Sequence, residues 1–325
     1  MTNHYKDIVI IGAGPIGIAC ALECKKRNWD YLVIEKGSLT NSLFNYPLNM
    51  TFFSTSEKLE VDSIPFISNN PKPTRNEALE YYRRVTTSNQ LHINLYEEVN
   101  SLQKINDRFK LVTDKATYSS KKVIIATGFY DIPKVLNVPG EKLNKVSHYY
   151  KEAHPYSLQN TAIVGASNSA VDAALDINRK GGNVTMIIRG KAVGERVKYW
   201  VRPDIINRIK EGSIKAYFNA KIKEIKPKEI IIKTLRGDIT ITNDYVIALT
   251  GYKPNFEFLK QAGITFSNDD KRIPNYNSST MESSVEGLYL AGVICGGMET
   301  HKWFIENSRI HAIQIANHLE TELKK

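Results

Sequence analysis

The stretch Ile8-Val9-Ile10-Ile11-Gly12-Ala13-Gly14-Pro15-Ile16-Gly17 decides how this chain is read. Its apolar run over 7–11 reads as a buried parallel strand, and its glycines stand at Gly-x-Gly-x-x-Gly spacing. Pro15 then opens a helix read over 15–27, and a second strand over 31–34 ends in the acid Glu35. Each part has a physical task. Gly12 permits a tight turn, Gly14 lets the backbone approach a pyrophosphate, and Gly17 lets helix and strand pack closely. The helix N-terminus offers unpaired N–H groups and a partial positive charge to phosphates. Glu35 can accept hydrogen bonds from ribose hydroxyls. Because strand, turn, helix, strand and acid occur in order, the spacing points to a dinucleotide site and not to a tight turn alone. The apolar run 8–22 has signal-peptide length, but Gly12, Gly14 and Gly17 interrupt it. No other stretch reaches membrane-spanning length, so the expectation is a soluble, cytoplasmic protein.

The pattern restarts about 150 residues later with Ile163-Val164-Gly165-Ala166-Ser167-Asn168-Ser169-Ala170. A strand is expected over 161–164, a helix over 169–180 and a strand over 184–188. Gly165 keeps the first glycine place, Ser167 stands at the second and Ala170 at the third. Gly165, Ser167, Asn168 and Ser169 are therefore the candidate phosphate-side residues. The second strand is followed by Arg189 and not by an acid, with Lys191 and Arg196 close behind. An acid there would bind a ribose 2′-hydroxyl and repel a 2′-phosphate. An arginine favours the phosphate by charge and forked geometry, so the site is expected to prefer NADPH over NADH.

Between and after these units the chain alternates. A polar, aromatic stretch over 37–73 shows little periodicity, and a helix is expected over 75–88, where Arg75, Arg83 and Arg84 read as a solvated face. Strand-like runs end in Val123-Ile124-Ile125-Ala126, followed by Thr127-Gly128. Residues 214–248 are strand-rich, Thr250-Gly251 echoes Thr127-Gly128, a strand is expected over 288–291, and a terminal helix over 303–323.

Composition agrees with a two-domain globular protein. The chain has 325 residues, 42% of them hydrophobic and 24% charged, which excludes disorder, collagen and coiled coil as the main reading. The formal charge of +10 reads as a basic soluble surface, with no nucleic acid or membrane required. Three cysteines with no Cys-x-x-Cys indicate neither a disulfide framework nor a metal site. Cys20 and Cys24, four apart on one helix face, read as small buried hydrophobes in a reducing compartment.

Gly12-Ala13-Gly14-Pro15-Ile16-Gly17, Ala126-Thr127-Gly128 and Leu290-Ala291-Gly292 resemble the FAD-side signatures of the thioredoxin-reductase-like pyridine nucleotide-disulfide oxidoreductases. The resemblance spans nearly the whole chain. Within that superfamily the chain looks most like the YpdA-type bacillithiol disulfide reductases. The runs that carry this are Asn45-Tyr46-Pro47, Thr51-Phe52-Phe53-Ser54, Tyr149-Tyr150-Lys151-Glu152-Ala153-His154-Pro155-Tyr156, Asn168-Ser169-Ala170-Val171-Asp172-Ala173-Ala174 and Phe304-Ile305-Glu306-Asn307. The resemblance implies an α/β fold of two Rossmann-like, three-layer ββα dinucleotide-binding domains, one inserted into the other. Residues 1–125 and 250–325 would form a discontinuous FAD-binding domain and 126–249 an NADPH-binding domain. It implies FAD in the first site, NADPH as hydride donor in the second, reduction of a low-molecular-weight thiol disulfide, and a homodimer or higher homo-oligomer. The FAD candidates are Gly12, Gly14, Pro15, Ile16, Gly17, Glu35, Lys36, Thr127, Gly128 and Gly292. His301 would open the terminal helix, whose N-terminal dipole favours negative charge at the flavin N1/O2 edge.

Three departures narrow the chemistry. No Cys-x-x-Cys stands over 168–172, which excludes the thioredoxin reductase mechanism. The YpdA-type pattern usually has a cysteine after Gly-Pro in the first loop; here Ile16 stands there and cannot attack a disulfide. Val293 follows Gly292 where the superfamily usually has an aspartate. The catalytic candidates that remain are Cys295, as a thiol near the flavin, and His154, as a proton donor to a leaving thiolate. The competing readings are a ferredoxin/flavodoxin–NADP reductase, whose small acidic redox partner would suit the basic surface, and a non-catalytic dinucleotide-binding sensor.

Overall fold

Strand β1 (Asn3–Ile11) runs into the first glycine turn and helix α1 (Pro15–Lys26), and β2 (Tyr31–Ile34) returns parallel to β1, with Ile8 opposite Tyr31 and Ile11 opposite Ile34. The computed structural model describes residues 3–323. Helix α1 is buried from Pro15 through Cys24, and the charged Glu23 within that span is paired with Lys26 and Arg27. The stretch without periodicity holds two single-turn helices, α2 (Asn41–Phe44) and α3 (Ser56–Leu59). Helix α4 (Arg75–Ser88) has the extent read from the sequence. Its start is a capping box, in which Glu77 N–H donates to the Thr74 hydroxyl and Thr74 N–H donates to the Glu77 carboxylate at 2.7 Å. Strands β3 (Ile93–Asn94), β4 (Val99–Ile105), β5 (Arg108–Thr113) and β6 (Thr117–Ile125) follow. They join the first sheet in the order β3-β2-β1-β6-β5-β4.

The chain then builds a second sheet on the same plan. Its elements are β7 (Val146–Ser147), β8 (Asn160–Val164), α5 (Asn168–Arg179), β9 (Asn183–Ile187), α6 (Arg202–Lys210) and β10 (Lys215–Tyr217), then β11 (Lys221–Ile225), β12 (Glu229–Thr234), β13 (Gly237–Thr242) and β14 (Tyr245–Ala248). The parallel order is β10-β9-β8-β14-β7, and β11-β12-β13 form a separate antiparallel sheet. Alternation along β8 makes the layers: Ile163 faces the core built with α5, while Ala162 and Val164 face the core under β11 and β12. The result is helices, parallel sheet and antiparallel sheet in three layers. This is the α/β, Rossmann-like architecture expected.

After α7 (Phe256–Gln261), β15 (Leu288–Leu290) returns to the first sheet. It pairs in parallel with the second half of β6, whose first half pairs antiparallel with β5. The chain closes with α8 (Ile305–Ser308) and α9 (Ile310–Glu322), the latter packed on α1. The expected helix over 303–323 therefore starts later and is broken at Arg309. The Asn307 carboxamide oxygen accepts from Phe304 N–H at 2.7 Å, which sets the start. His301 lies exposed in the turn before α8, so it does not occupy the helix N-terminus expected of it.

Two compact units result. One comprises Met1–Asn45, Met50–Ile132 and Tyr252–Lys325; the other comprises Tyr46–Asn49 and Pro133–Gly251. Among the described residues no helix is long and apolar enough to cross a membrane.

Candidate cofactor and active site

The three glycines of the first loop separate by geometry. Gly12 has φ +106°, and a Cβ there would lie 2.6 Å from the Ala126 carbonyl oxygen and 3.3 Å from Thr127 Cα. At Gly17 a Cβ would lie 1.9 Å from the Gly12 carbonyl oxygen. Both positions exclude a side chain because backbone packs against backbone. Gly14 is different: its φ of −73° suits any residue, and a Cβ would meet nothing within 4 Å. Gly14 thus leaves open space at the N-terminus of α1. Pro15 is the first residue of that helix, no side chain caps it, and no acid stands in its first turn. Open space in front of uncapped N–H groups fits a pyrophosphate.

Glu35 is 7% exposed. Its carboxylate accepts from Ala13 N–H at 2.8 Å and Gly37 N–H at 2.9 Å, one bond on each oxygen. Burial raises its pKa, and these two bonds act in the opposite direction. Each oxygen keeps a lone pair for a ribose hydroxyl. Lys36 pairs with Asp131 at 2.9 Å, so its charge is already compensated within the chain. Thr127 lies against the Gly12 turn, and Gly128, with φ +71°, faces Ser42.

Gly292 has φ +82°, and a Cβ there would lie 3.3 Å from Ile16 Cγ1. Ile16 thus makes an apolar contact at the position where the resemblance would put a thiol. The Gly292 N–H donates to His311 Nδ1 at 3.1 Å. That bond needs a lone pair on Nδ1, so His311 is neutral with its proton on Nε2. Burial agrees, since it pushes the His311 pKa down to about 4. Nothing in the sequence singles His311 out, because a histidine in an amphipathic helix reads as surface. Cys295 is fully buried, with its Sγ 3.9 Å from the same Nδ1. Burial holds the Cys295 and Cys20 thiols well above the ordinary range and pushes Cys24 up to about 12. All three therefore remain protonated at neutral pH.

In the second unit Gly165 has φ +138°, and a Cβ there would lie 2.6 Å from the Leu249 carbonyl oxygen and 3.1 Å from Ala170 Cβ. The Ala170 contact explains why a small residue stands at the third glycine place. Ser167 and Ser169 are exposed at the start of α5, which has no acid in its first turn. Asn168 directs both polar atoms elsewhere: Nδ2 donates to the Arg196 carbonyl at 3.2 Å, and Oδ1 accepts from Lys198 N–H at 2.8 Å.

Arg189 is exposed at the end of β9. Its side chain has no hydrogen bond or ion pair among the described residues. Its neighbour in charge is Lys134, a residue the sequence reading missed. Lys134 N–H donates to the Gly251 carbonyl at 2.9 Å, and a Cβ on Gly251 would lie 3.9 Å from Lys134 Cδ. Burial and then the Arg189 charge hold the Lys134 pKa below the usual lysine range. Strand order explains the pairing, because β9 and β14 flank β8 and its glycine turn. Two cations without acid partners beside a helix N-terminus favour a phosphate-bearing ligand.

His154 is exposed in a short 3₁₀ turn of the second unit, and the adjacent Tyr156 ring packs on Tyr150 and Tyr245. Arg75 corrects the reading of a solvated helix face. It is buried, and its guanidinium donates to the Leu43 and Phe44 carbonyls at 3.1 and 2.6 Å. Arg83 and Arg84 remain exposed and pair with Glu80.

The family model described as pyridine nucleotide-disulphide oxidoreductase matches residues 9–292. The chain is 41% identical over 310 residues to the bacilliredoxin reductase Bdr of Bacillus subtilis (strain 168), covering 95% of each chain. It superposes with a TM-score of 0.95 on the structure of the bacillithiol disulfide reductase Bdr (YpdA) from Staphylococcus aureus, at 40% identity over 98% of this chain and 99% of that one. Against the Bacillus cereus protein of the same name the TM-score is 0.96, at 39% identity over 98% of this chain and all of the other.

Proposed function

Because the chain belongs to the pyridine nucleotide-disulphide oxidoreductase family, which implies FAD and NADPH for it, we propose that it reduces a low-molecular-weight thiol disulfide of the bacillithiol disulfide type at the expense of NADPH. One observation carries this reading. A single chain holds two uncapped helix N-termini beside glycine turns, one served by Glu35 and the other by unpaired Arg189. An acid suits the ribose hydroxyls of FAD, and a cation suits the 2′-phosphate of NADPH. The names of the two solved relatives support the disulfide acceptor, whereas that of the Bacillus subtilis relative names a bacilliredoxin.

In this reading the first unit holds FAD through Gly12, Gly14, Pro15, Gly17, Glu35, Thr127, Gly128 and Gly292, with Ile16 as an apolar wall. The second unit holds NADPH through Gly165, Ser167, Ser169, Arg189 and Lys134. Bound FAD supplies the hydride chemistry that protein side chains lack. The protein supplies position and electrostatics. Neutral His311 fixes the Gly292 backbone without adding charge beside it. The buried, protonated state of Cys295 and the presence of Ile16 support reduction without a covalent link between substrate and a cysteine of this chain. His154, being exposed, is available to protonate a departing thiolate. Three unpaired cysteines suit the reducing cytoplasm, and the family resemblance suggests a homodimer.

Anaerobic stopped-flow absorbance tests the reading. NADPH should bleach the flavin band, and bacillithiol disulfide should restore it rapidly. Restoration by an acidic ferredoxin or flavodoxin alone would replace the disulfide acceptor with a redox protein. No bleaching at all would leave only a dinucleotide-binding sensor.

A further inference from the structure

The loop over residues 190–201, which follows Arg189, is unusually well fastened for a segment with no regular structure. Val193 and Val197 are each 4% exposed and belong to the helix-side core of the second unit. Gly194 N–H donates to the Ala166 carbonyl at 3.0 Å, and a Cβ on Gly194 would lie 2.8 Å from that oxygen, so the loop passes directly over the glycine turn. The Lys198 ammonium pairs with Asp172 of α5 at 2.8 Å. Asn168, the first residue of α5, completes the fastening through its bonds to the backbone of Arg196 and Lys198. Lys191, just before the first of these anchors, and Arg196, between them, are exposed. Val193 and Val197 turn inward, whereas Lys191, Glu195, Arg196, Tyr199 and Trp200 are exposed, so the loop carries two free-standing cations and one acid beside the N-terminus of α5.

We propose that Asn168 is a positioning residue that latches the basic 190–201 loop to the start of α5 and thereby sets the preference of the second site for a 2′-phosphorylated nucleotide. This rests on the reading of that site as an NADPH site. Asn168 lies where a phosphate ligand is expected, yet each of its polar atoms is oriented by a bond to the loop backbone, which leaves one N–H of Nδ2 uncommitted. One carboxamide therefore fixes residues 196 and 198 relative to the glycine turn. With the loop held, Arg196 and Lys191 add to the field of Arg189 at one place. With the loop released, the same cations spread over many positions, and their attraction to a doubly charged phosphate is averaged down and screened.

The test uses the FAD-loaded protein and two probes that differ only in the 2′-phosphate, adenosine 2′,5′-bisphosphate and 5′-AMP, titrated by calorimetry. The wild-type protein should bind the bisphosphate more tightly. Asn168→Ala should weaken bisphosphate binding about tenfold and change 5′-AMP binding by less than about twofold. Trypsin should cut after Lys191 and Arg196 faster in the variant, with the bound-flavin spectrum unchanged to show a retained fold. Asp172→Asn, which removes the second fastening, should give the same effects at smaller size. In steady state, Asn168→Ala should raise KM for NADPH and leave kcat unchanged. Equal weakening of both probes would make Asn168 a direct ligand and overturn the positioning role. No weakening, or unchanged trypsin cleavage, would overturn the latch. A wild-type protein that does not distinguish the two probes would instead defeat the NADPH reading, while cleavage would still report on the latch.

Discussion

Gly14→Ala should separate folding from cofactor binding, because this glycine alone of its three is not required by the packing. Its φ of −73° is open to alanine, and an added Cβ meets nothing within 4 Å. Removing glycine's freedom from the unfolded chain should stabilise the flavin-free protein by ~0.4–1 kcal/mol. The same methyl group fills the space through which the pyrophosphate would approach the N-terminus of α1. An overfilled close contact costs ~1–3 kcal/mol, so FAD should bind about ten- to a hundredfold more weakly. Gly17→Ala is the control. Its Cβ would lie 1.9 Å from the Gly12 carbonyl oxygen, so strand and helix must separate and the flavin-free protein itself should lose ~1–3 kcal/mol. The assay is urea unfolding of the flavin-free proteins together with FAD titration followed by flavin fluorescence. If Gly14→Ala unfolds as early as Gly17→Ala, or binds FAD as tightly as the wild type, the assignment of Gly14 as the approach position is wrong.

Arg189→Gln should raise KM for NADPH about ten- to a hundredfold, from the ~1.5–3 kcal/mol of a hydrogen bond to a charged group, and leave KM for NADH nearly unchanged. Steady-state kinetics with both nucleotides checks it, and an unchanged ratio refutes it. Lys134→Met should weaken NADPH binding in the same assay, since it removes the second unpaired cation at that turn. Cys295→Ser should retain disulfide turnover, because the thiol is fully buried and protonated; loss of turnover in a variant that still bleaches with NADPH would restore Cys295 as the mediator. His311 has a folded pKa of about 4 against an ordinary 6.5, so its neutral form contributes stability that is complete above pH 6.5 and lost as pH falls through 4. That loss is about 3 kcal/mol, and His311→Asn, which keeps an acceptor for Gly292 but does not titrate, should show a correspondingly flatter acid decline in urea midpoints.

What was legible in the sequence is what neighbours along the chain decide. The glycine spacing, the extent of the helix over 75–88, and the swap of Glu35 for Arg189 at matching strand ends all act within a turn, one helix or one βαβ unit. The break at Arg309 was not legible, because the apolar pattern over 303–323 continues across it and only the Asn307 bond to Phe304 sets the start. Nor was the burial of Arg75, whose partners Leu43 and Phe44 lie about 30 residues away.

The sequence by itself determined the two glycine turns and the lack of a thiol at Ile16, since both are properties of residue type at fixed spacing. Only the tertiary structure decided which polar atoms are left for a ligand. Strand order brings Lys134 to the turn that Arg189 serves, and loop packing takes Asn168 away from it. Burial decides that His311 is neutral and that the Cys295 thiol keeps its proton. Protonation and availability depend on what surrounds a side chain in space, and residues far apart in the chain supply those surroundings.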